Sequence, residues 1–344
     1  MAFAGRVDGQ AVELHVEPDR LRITGGPEPT DLTWVELDRF TVDGHACRLE
    51  TFDGRCCTST HLAATRDRFL AEALEARRRA RRAALLQWTG DAPLTSFDGR
   101  RGDEPVVVSL FPDGVVAEPV NGVPGMLPLS CLAEVRRTGY EIELIADGLD
   151  DLTVRHLGQR TDEFLQRLDR ARLDLADRTA ATLTALDARL AGVMMRDGWA
   201  VERSAVPAHW TVLRDVVAGQ RRAAEVGLLA ELAGDRLRLG VKSGAGGASM
   251  PFALAPTAGK VAVEATDADD RATFVFATDD VDRLNAVLLA TSFRREAIAA
   301  PDAALGRWAL AVRTLDVVRW ARERLVARIV HDAGWEAKVR SALA

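Results

Sequence analysis

The chain has 344 residues, 47% of them hydrophobic, and a formal net charge of −6. That length suits two to four domains with sizeable cores, and the mildly acidic balance argues against a protein built mainly to neutralise nucleic-acid phosphates while leaving room for a local basic patch. No apolar run reaches the roughly 18 residues of a membrane-spanning helix, and the N-terminal MAFAGRVDGQ lacks the apolar core of a signal peptide.

The N-terminal stretch alternates apolar and polar residues with period two: Val12, Leu14 and Val16, then Leu21 and Ile23, then Cys47, Leu49 and Thr51. This is the pattern of half-buried strands. Asp-Gly pairs at 43–44, 53–54, 113–114 and 147–148 mark tight hairpins. The period then changes. Phe69, Leu70, Ala73 and Leu74 form one stripe at helical spacing, with Asp67 in the first turn where the helix dipole favours an acid.

The same text recurs further along. THLAATRDRFLAEALEAR (60–77) is matched by RHLGQRTDEFLQRLDRAR (155–172), aligning His61 with His156, Leu62 with Leu157, Phe69 with Phe164 and Arg77 with Arg172 at a constant offset of 95 (156 minus 61). Upstream, AVELHVEPDRLRIT matches PVVVSLFPDGVVAE, LTWVELDRF matches LPLSCLAEV, and ACRLETFDG matches YEIELIADG. A third, diverged copy is expected in AGDRLRLGV and GKVAVEATDADDRATFVFATDDVDRLNAVLLA, with Leu284 and Leu288 in the places of Phe69 and Ala73.

The remainder is expected to be helical. The stripe of the helix near Asp162 continues through Leu175, Leu183, Leu186, Leu190 and Val193 to about Met195. A second helix is predicted from Pro207 to about Glu225. A third runs from Pro301 with the stripe Leu305, Trp308, Val312, Leu315, Val318, Leu325 and Ile329. Trp199, Trp210, Trp308, Trp320 and Trp335 lie in or beside these segments, which predicts a helical scaffold between the second and third units.

Roughly seven short strands closed by one amphipathic helix, with the LTWVEL phrase midway, resemble the pleckstrin-homology-like (PH-like) superfold and its bacterial GRAM-like variants. The resemblance implies a bent antiparallel sandwich whose helix covers one open corner, with Phe69 and Phe164 as plugs. The fold class expected is α+β: three tandem PH-like units with a helical insertion and a helical C-terminus. The expected boundaries are 1–88 for unit 1, 96–196 for unit 2 with its extended helix, 197–226 for a helical linker, 227–298 for unit 3 and 299–344 for the C-terminal helical segment.

Signals for chemistry are sparse. Cys47, Cys56, Cys57 and Cys131 form no C-x-x-C pair and read as free thiols in a reducing cytoplasm. The paired His61 and His156 sit before the helix in both copies and read as structural, while His15, His45, His209 and His331 show no metal-binding spacing. KSGAGGAS (242–249) lacks the G-K-[ST] ending and the helix that a phosphate cradle needs, so it reads as a hairpin loop. TDADD (266–270) lacks the glycine and terminal glutamate of a calcium loop and reads as an acidic turn. No catalytic, cofactor or metal constellation assembles from local spacing.

ARRRARR (76–82) is the densest basic run. The bland reading is a solvated helix end. The functional one is a polyanion contact through Arg77, Arg78, Arg79, Arg81 and Arg82, joined by Arg319 and Arg322 of the last helix. The basic residues are almost all arginine, the only lysines being Lys242, Lys260 and Lys338, which points to a GC-rich bacterial genome. In the first hairpin, Arg20 and Arg22 are offset by Glu17 and Asp19, so the usual lipid-binding cluster of PH domains is not expected. The leading expectation is a non-enzymatic, cytoplasmic bacterial adaptor that binds a protein or peptide along a sheet edge or beside a helix. The alternative is peripheral binding of anionic lipid or nucleic acid through the arginine-rich helices.

Overall fold

The structure, a computed structural model, describes residues 2–26, 28–85, 92–197, 199, 201–219, 238–243, 249–265, 272–290 and 296–344. The chain is mixed α+β, with two seven-stranded antiparallel sheets, a third sheet of six strands and several helices.

The first sheet comprises β1 (Ala2–Val7), β2 (Gln10–Val16), β3 (Arg20–Thr24), β4 (Thr30–Thr33), β5 (Leu37–Asp43), β6 (Ala46–Thr51) and β7 (Cys56–Thr60), in the order β4-β3-β2-β1-β7-β6-β5, followed by α1 (Arg66–Ala84). The second comprises β8 (Thr95–Arg101), β9 (Glu104–Leu110), β10 (Gly114–Pro119), β11 (Gly125–Pro128), β12 (Leu132–Thr138), β13 (Glu141–Ala146) and β14 (Leu152–Arg155), in the order β11-β10-β9-β8-β14-β13-β12, followed by α2 (Thr161–Leu186).

The two sheets correspond in detail. Each carries a register shift at the same point, between Leu37 and Arg39 and between Leu132 and Glu134. Each helix plugs its sheet with a fully buried phenylalanine met edge-on by another from the first strand: Phe69 by Phe3 and Phe164 by Phe97, both with ring centroids 5.4 Å apart. Between LTW and VEL the chain turns a corner at Trp34, which is fully buried and donates its indole N–H to the Glu17 carbonyl at 2.8 Å.

The paired histidines have a backbone reason. His61 has φ of 60° and His156 of 57°, the left-handed conformation that histidine adopts more readily than most non-glycine residues. In each copy this residue swings the chain from the last strand into the helix. His156→Gly is expected to keep full stability. His156→Val, β-branched at positive φ, is expected to lose about 1–3 kcal/mol, read as a lower urea midpoint at unchanged slope.

The third sheet has the order β15-β16-β17-β18-β19-β20: β15 (Val201–Glu202), β16 (Arg238–Ser243), β17 (Ser249–Thr257), β18 (Lys260–Ala265), β19 (Ala272–Phe276) and β20 (Leu325–Val330). Among the described residues, the α-helices after α2 include α3 (Trp210–Gly219), α4 (Val281–Ala290), α5 (Ala309–Thr314), α6 (Asp316–Arg324) and α7 (Trp335–Leu343), with a single turn at Glu296–Ala299 between α4 and α5. The expected hairpins are present, β16 pairing with β17 and β18 with β19, but the loop residues Gly244–Ala248 and the turn Thr266–Asp270 lie outside the described residues.

Three helix expectations are corrected. α2 stops at Leu186 because Asp187 turns extended (φ −157°, ψ 126°) and its carboxylate accepts the Arg189 N–H at 2.9 Å, opening a new short turn at Ala188–Leu190. The helix predicted from Pro207 begins at Trp210, and its described part ends at Gly219. The single helix expected from Pro301 to Ile329 is broken twice. Leu315 is extended between α5 and α6, and LVARIV, rich in β-branched residues, leaves the helix at Leu325 to become β20. The C-terminal segment is therefore not wholly helical, and the third sheet takes its last strand from beyond residue 298.

The tryptophans do not meet in one scaffold. Trp210 packs with Leu183 and Leu190, Trp308 with Leu305 and Val318, and Trp335 with Ile329 on the third sheet. The first sheet has its own core around Leu14, Trp34 and Phe69, whereas the second and third share one, in which Phe164 and Leu168 belong to the same cluster as Phe274, Phe276 and Leu284. Where they meet, Gly148 (φ 76°) lies so close to α4 that a Cβ there would sit 2.9 Å from the Asp282 carbonyl oxygen.

A candidate docking groove and a buried arginine seam

Four arginines of α1, Arg77, Arg78, Arg81 and Arg82, lie in a seam between the first and second sheets. Residues four apart share a helix face, and this sets their fates. Arg77 and Arg81 continue the buried stripe Phe69–Ala73, whereas Arg79 points to solvent. Arg77, 2% exposed, donates to the carbonyls of Leu37 (3.1 Å) and Asp38 (2.9 Å) on β5 and to that of Val120 in the β10–β11 loop. Arg81 donates to the Gly122 carbonyl at 2.5 Å, and Arg82 to the buried Glu118 carboxylate at 2.7 Å. Arg78 pairs with Glu75 at 3.0 Å and stands 4.0 Å from Glu118. From the other side, the Asn121 amide accepts the Phe40 N–H at 2.7 Å and donates to the Phe40 carbonyl at 3.3 Å, taking the place of a neighbouring strand at the edge of β5.

Burial and the adjacent Arg81 cation push the Arg77 guanidinium down to about 9, which leaves it charged at neutral pH. Burial also lowers Arg81. It raises the Glu118 carboxyl, against the pull of Arg82, Arg78 and Arg81. Both sequence-level readings of ARRRARR placed these side chains in water. That is corrected for Arg77, Arg81 and Arg82, which are buried because β5, the end of β10 and the β10–β11 loop supply them with oxygen acceptors. Arg322 is committed likewise, to the Ala297 and Ala300 carbonyls (2.9 and 2.7 Å) and to Asp302 (2.6 Å), while Arg319 pairs with Asp316. Arg20 and Arg22 are tied to Asp19, Asp31 and Glu17 at 2.7–3.2 Å.

Three of the four thiols are shielded. Burial pushes Cys57 and Cys131 up to about 12 and raises Cys47, while Cys56 is exposed. In a thiol titration only Cys56 is expected to react in the folded chain, with the other three following on denaturation. More than one fast thiol in the native state would contradict this placement. Among the described residues, no group of three His, Cys, Asp or Glu could hold a metal ion, and no helix is long and apolar enough to cross a membrane.

Two clefts remain. One, of about 580 Å3, lies between β12 and α2. Its wall includes Arg196, whose guanidinium is spent on the Ser130 carbonyl and Asp147 (both 2.7 Å) and stacks over Trp199. The other, of about 820 Å3, is an open groove along the outer edge of β20, bounded by Val326–Val330, Asp332 and the Ala337, Lys338, Ser341 and Ala342 side of α7. The edges of the sheets differ in how they are protected. β4 is four residues long with Asp31 tied to Arg20 and Arg22, β5 is closed by Asn121 and Arg77, β12 carries Glu134, Arg136 and Arg137, β15 is two residues long, and β11 ends in Pro128 beside α4. β20 is six residues long, at the end of its sheet, with Val326 and Val330 46% and 51% exposed. Ile329 and Trp335 hold it against α7, with Trp335 donating to Thr273 Oγ1 at 2.7 Å.

No family model and no curated protein matches the chain. Among solved structures, a chain from the structure of the Spt16D Pob3N heterodimer aligns with 44% of this chain and 93% of that chain, at 11% identity and a TM-score of 0.20.

Proposed function

We propose that this chain is a non-enzymatic bacterial adaptor, built on two PH-like units and a third, diverged one, that takes an extended segment of a partner protein as an added strand at β20. The carrying observation is the contrast among edges: β20 alone among the described edge strands combines six residues, two exposed valines and an adjoining groove. An added strand would satisfy the outward backbone groups, with side-chain pockets on alternate residues supplying selectivity. The polyanion reading has less support, because Arg77, Arg81, Arg82 and Arg322 already hold acceptors within the chain.

Selection of displayed peptides on the full chain tests the reading. Selected peptides are expected to alternate apolar and polar residues, and Val326→Lys, a charge placed on the edge, is expected to weaken them by about tenfold or more. Peptides indifferent to Val326→Lys would place binding elsewhere.

A further inference from the structure

We infer that the cleft between β12 and α2 docks a turn of a different protein, one that presents an asparagine to the edge of β12 and a basic residue three positions before it. The inference goes beyond strand addition at β20 and stands separately from it.

The first sheet shows how such a groove is filled. Between β5 and α1 sits the loop Val120–Gly122. Its Val120 and Gly122 carbonyls accept from Arg77 and Arg81, and its Asn121 carboxamide pairs with the Phe40 N–H and C=O. The constant offset of 95 (172 minus 77) places the same groove in the second sheet. Leu132, Ala133, Arg172 and Ala176 line the cleft of about 580 Å3, and they stand where Leu37, Asp38, Arg77 and Arg81 stand in the first sheet. The register agrees. Val135 lies opposite Leu144 as Phe40 lies opposite Leu49, so the Val135 N–H and C=O point outward from β12, the end strand of its sheet. The counterpart of Arg77 is uncommitted: half-buried Arg172 makes no hydrogen bond or ion pair among the described residues.

The groove's chemistry selects the occupant. A carboxamide both donates and accepts, as pairing with an outward N–H and C=O together requires, and asparagine is the carboxamide that favours turns. Glu134, Arg136 and Arg137 on β12 disfavour a whole added strand. The charges of the two grooves differ. In the first, Glu118, three residues before Asn121, accepts from Arg82. In the second, exposed Asp177 takes the place of Arg82, so a cation fits there and a carboxylate does not. Ala176 in the place of Arg81, and Met194, 93% exposed at the rim, offer apolar contact. A second copy of this chain has no such turn to offer. Its only asparagines are Asn121, spent on Phe40, and Asn285, fully buried.

The test titrates the full chain by fluorescence polarisation with fluorescein-labelled, disulfide-cyclised peptides. One has the core Lys-Pro-Val-Asn-Gly-Val-Pro, one has glutamate in place of lysine, and one has alanine in place of asparagine. The lysine peptide is expected to bind about threefold more tightly than the glutamate peptide, and Asp177→Lys should reverse that order. Arg172→Gln, and alanine for asparagine in the peptide, should each weaken binding about tenfold, with circular dichroism showing the variants folded. Binding indifferent to Arg172→Gln but lost in Val326→Lys would place the peptide on β20 and overturn the inference while leaving strand addition standing. No binding of any of the three peptides by the folded chain would also overturn it. A dimer in sedimentation velocity that Arg172→Gln dissociates would overturn the choice of partner, making the occupant a second copy.

Discussion

Glu118→Ala is expected to destabilise the protein by about 3–5 kcal/mol, the usual cost of removing one member of a buried ion pair. Glu118 accepts from Arg82 at 2.7 Å, and the Arg77, Arg78 and Arg81 guanidiniums lie in the same seam. Without the carboxylate, buried cations face each other with only carbonyls to hold them. The loss comes from the orphaned charges rather than from the pair's own attraction, so a second variant separates the two. Glu118→Leu combined with Arg82→Met removes both charges and fills the space, and should lose much less than either single change. A Glu118→Ala loss below about 1 kcal/mol, the range of surface pairs, would mean that water reaches the seam.

The second large effect concerns the plugs. Phe69→Ala and Phe164→Ala should each cost about 3–5 kcal/mol, because each empties the centre of a packed sandwich. Their reach should differ. Phe69 belongs to a core confined to the first sheet and α1, so the variant is expected to raise amide exchange in residues 2–85 and leave the rest protected. Phe164 shares its core with Phe274, Phe276 and Leu284, so its loss should loosen the second and third sheets together. Exchange confined to the second sheet in Phe164→Ala would show that the shared core is not cooperative.

Local pattern made much of this fold readable in the sequence. Period-two alternation and Asp-Gly turns marked the hairpins, and the constant offset tied His61 to His156 and Phe69 to Phe164, whose shared geometry the structure then displays. What escaped depends on distant partners. Extending the stripe Phe69–Ala73 by four residues reaches Arg77 and then Arg81, which is a legible hint that these arginines are buried. Their acceptors are 39–43 residues away, in β5 and the β10–β11 loop, and no local signal points to them. β20 reads as helix for the opposite reason. Leu325 and Ile329 satisfy helical spacing as well as strand alternation, and only pairing with β19 decides between the two. The proposed docking edge thus lies where the sequence is ambiguous, on a strand recruited to its sheet from about 50 residues beyond β19.

The most direct test of the central claim is amide hydrogen exchange across Leu325–Val330, with and without a saturating amount of a peptide selected on the full chain. Strand addition predicts new protection in β20 and in the peptide backbone, with α1 and the seam unchanged. Binding that leaves β20 exchange unaltered would contradict it.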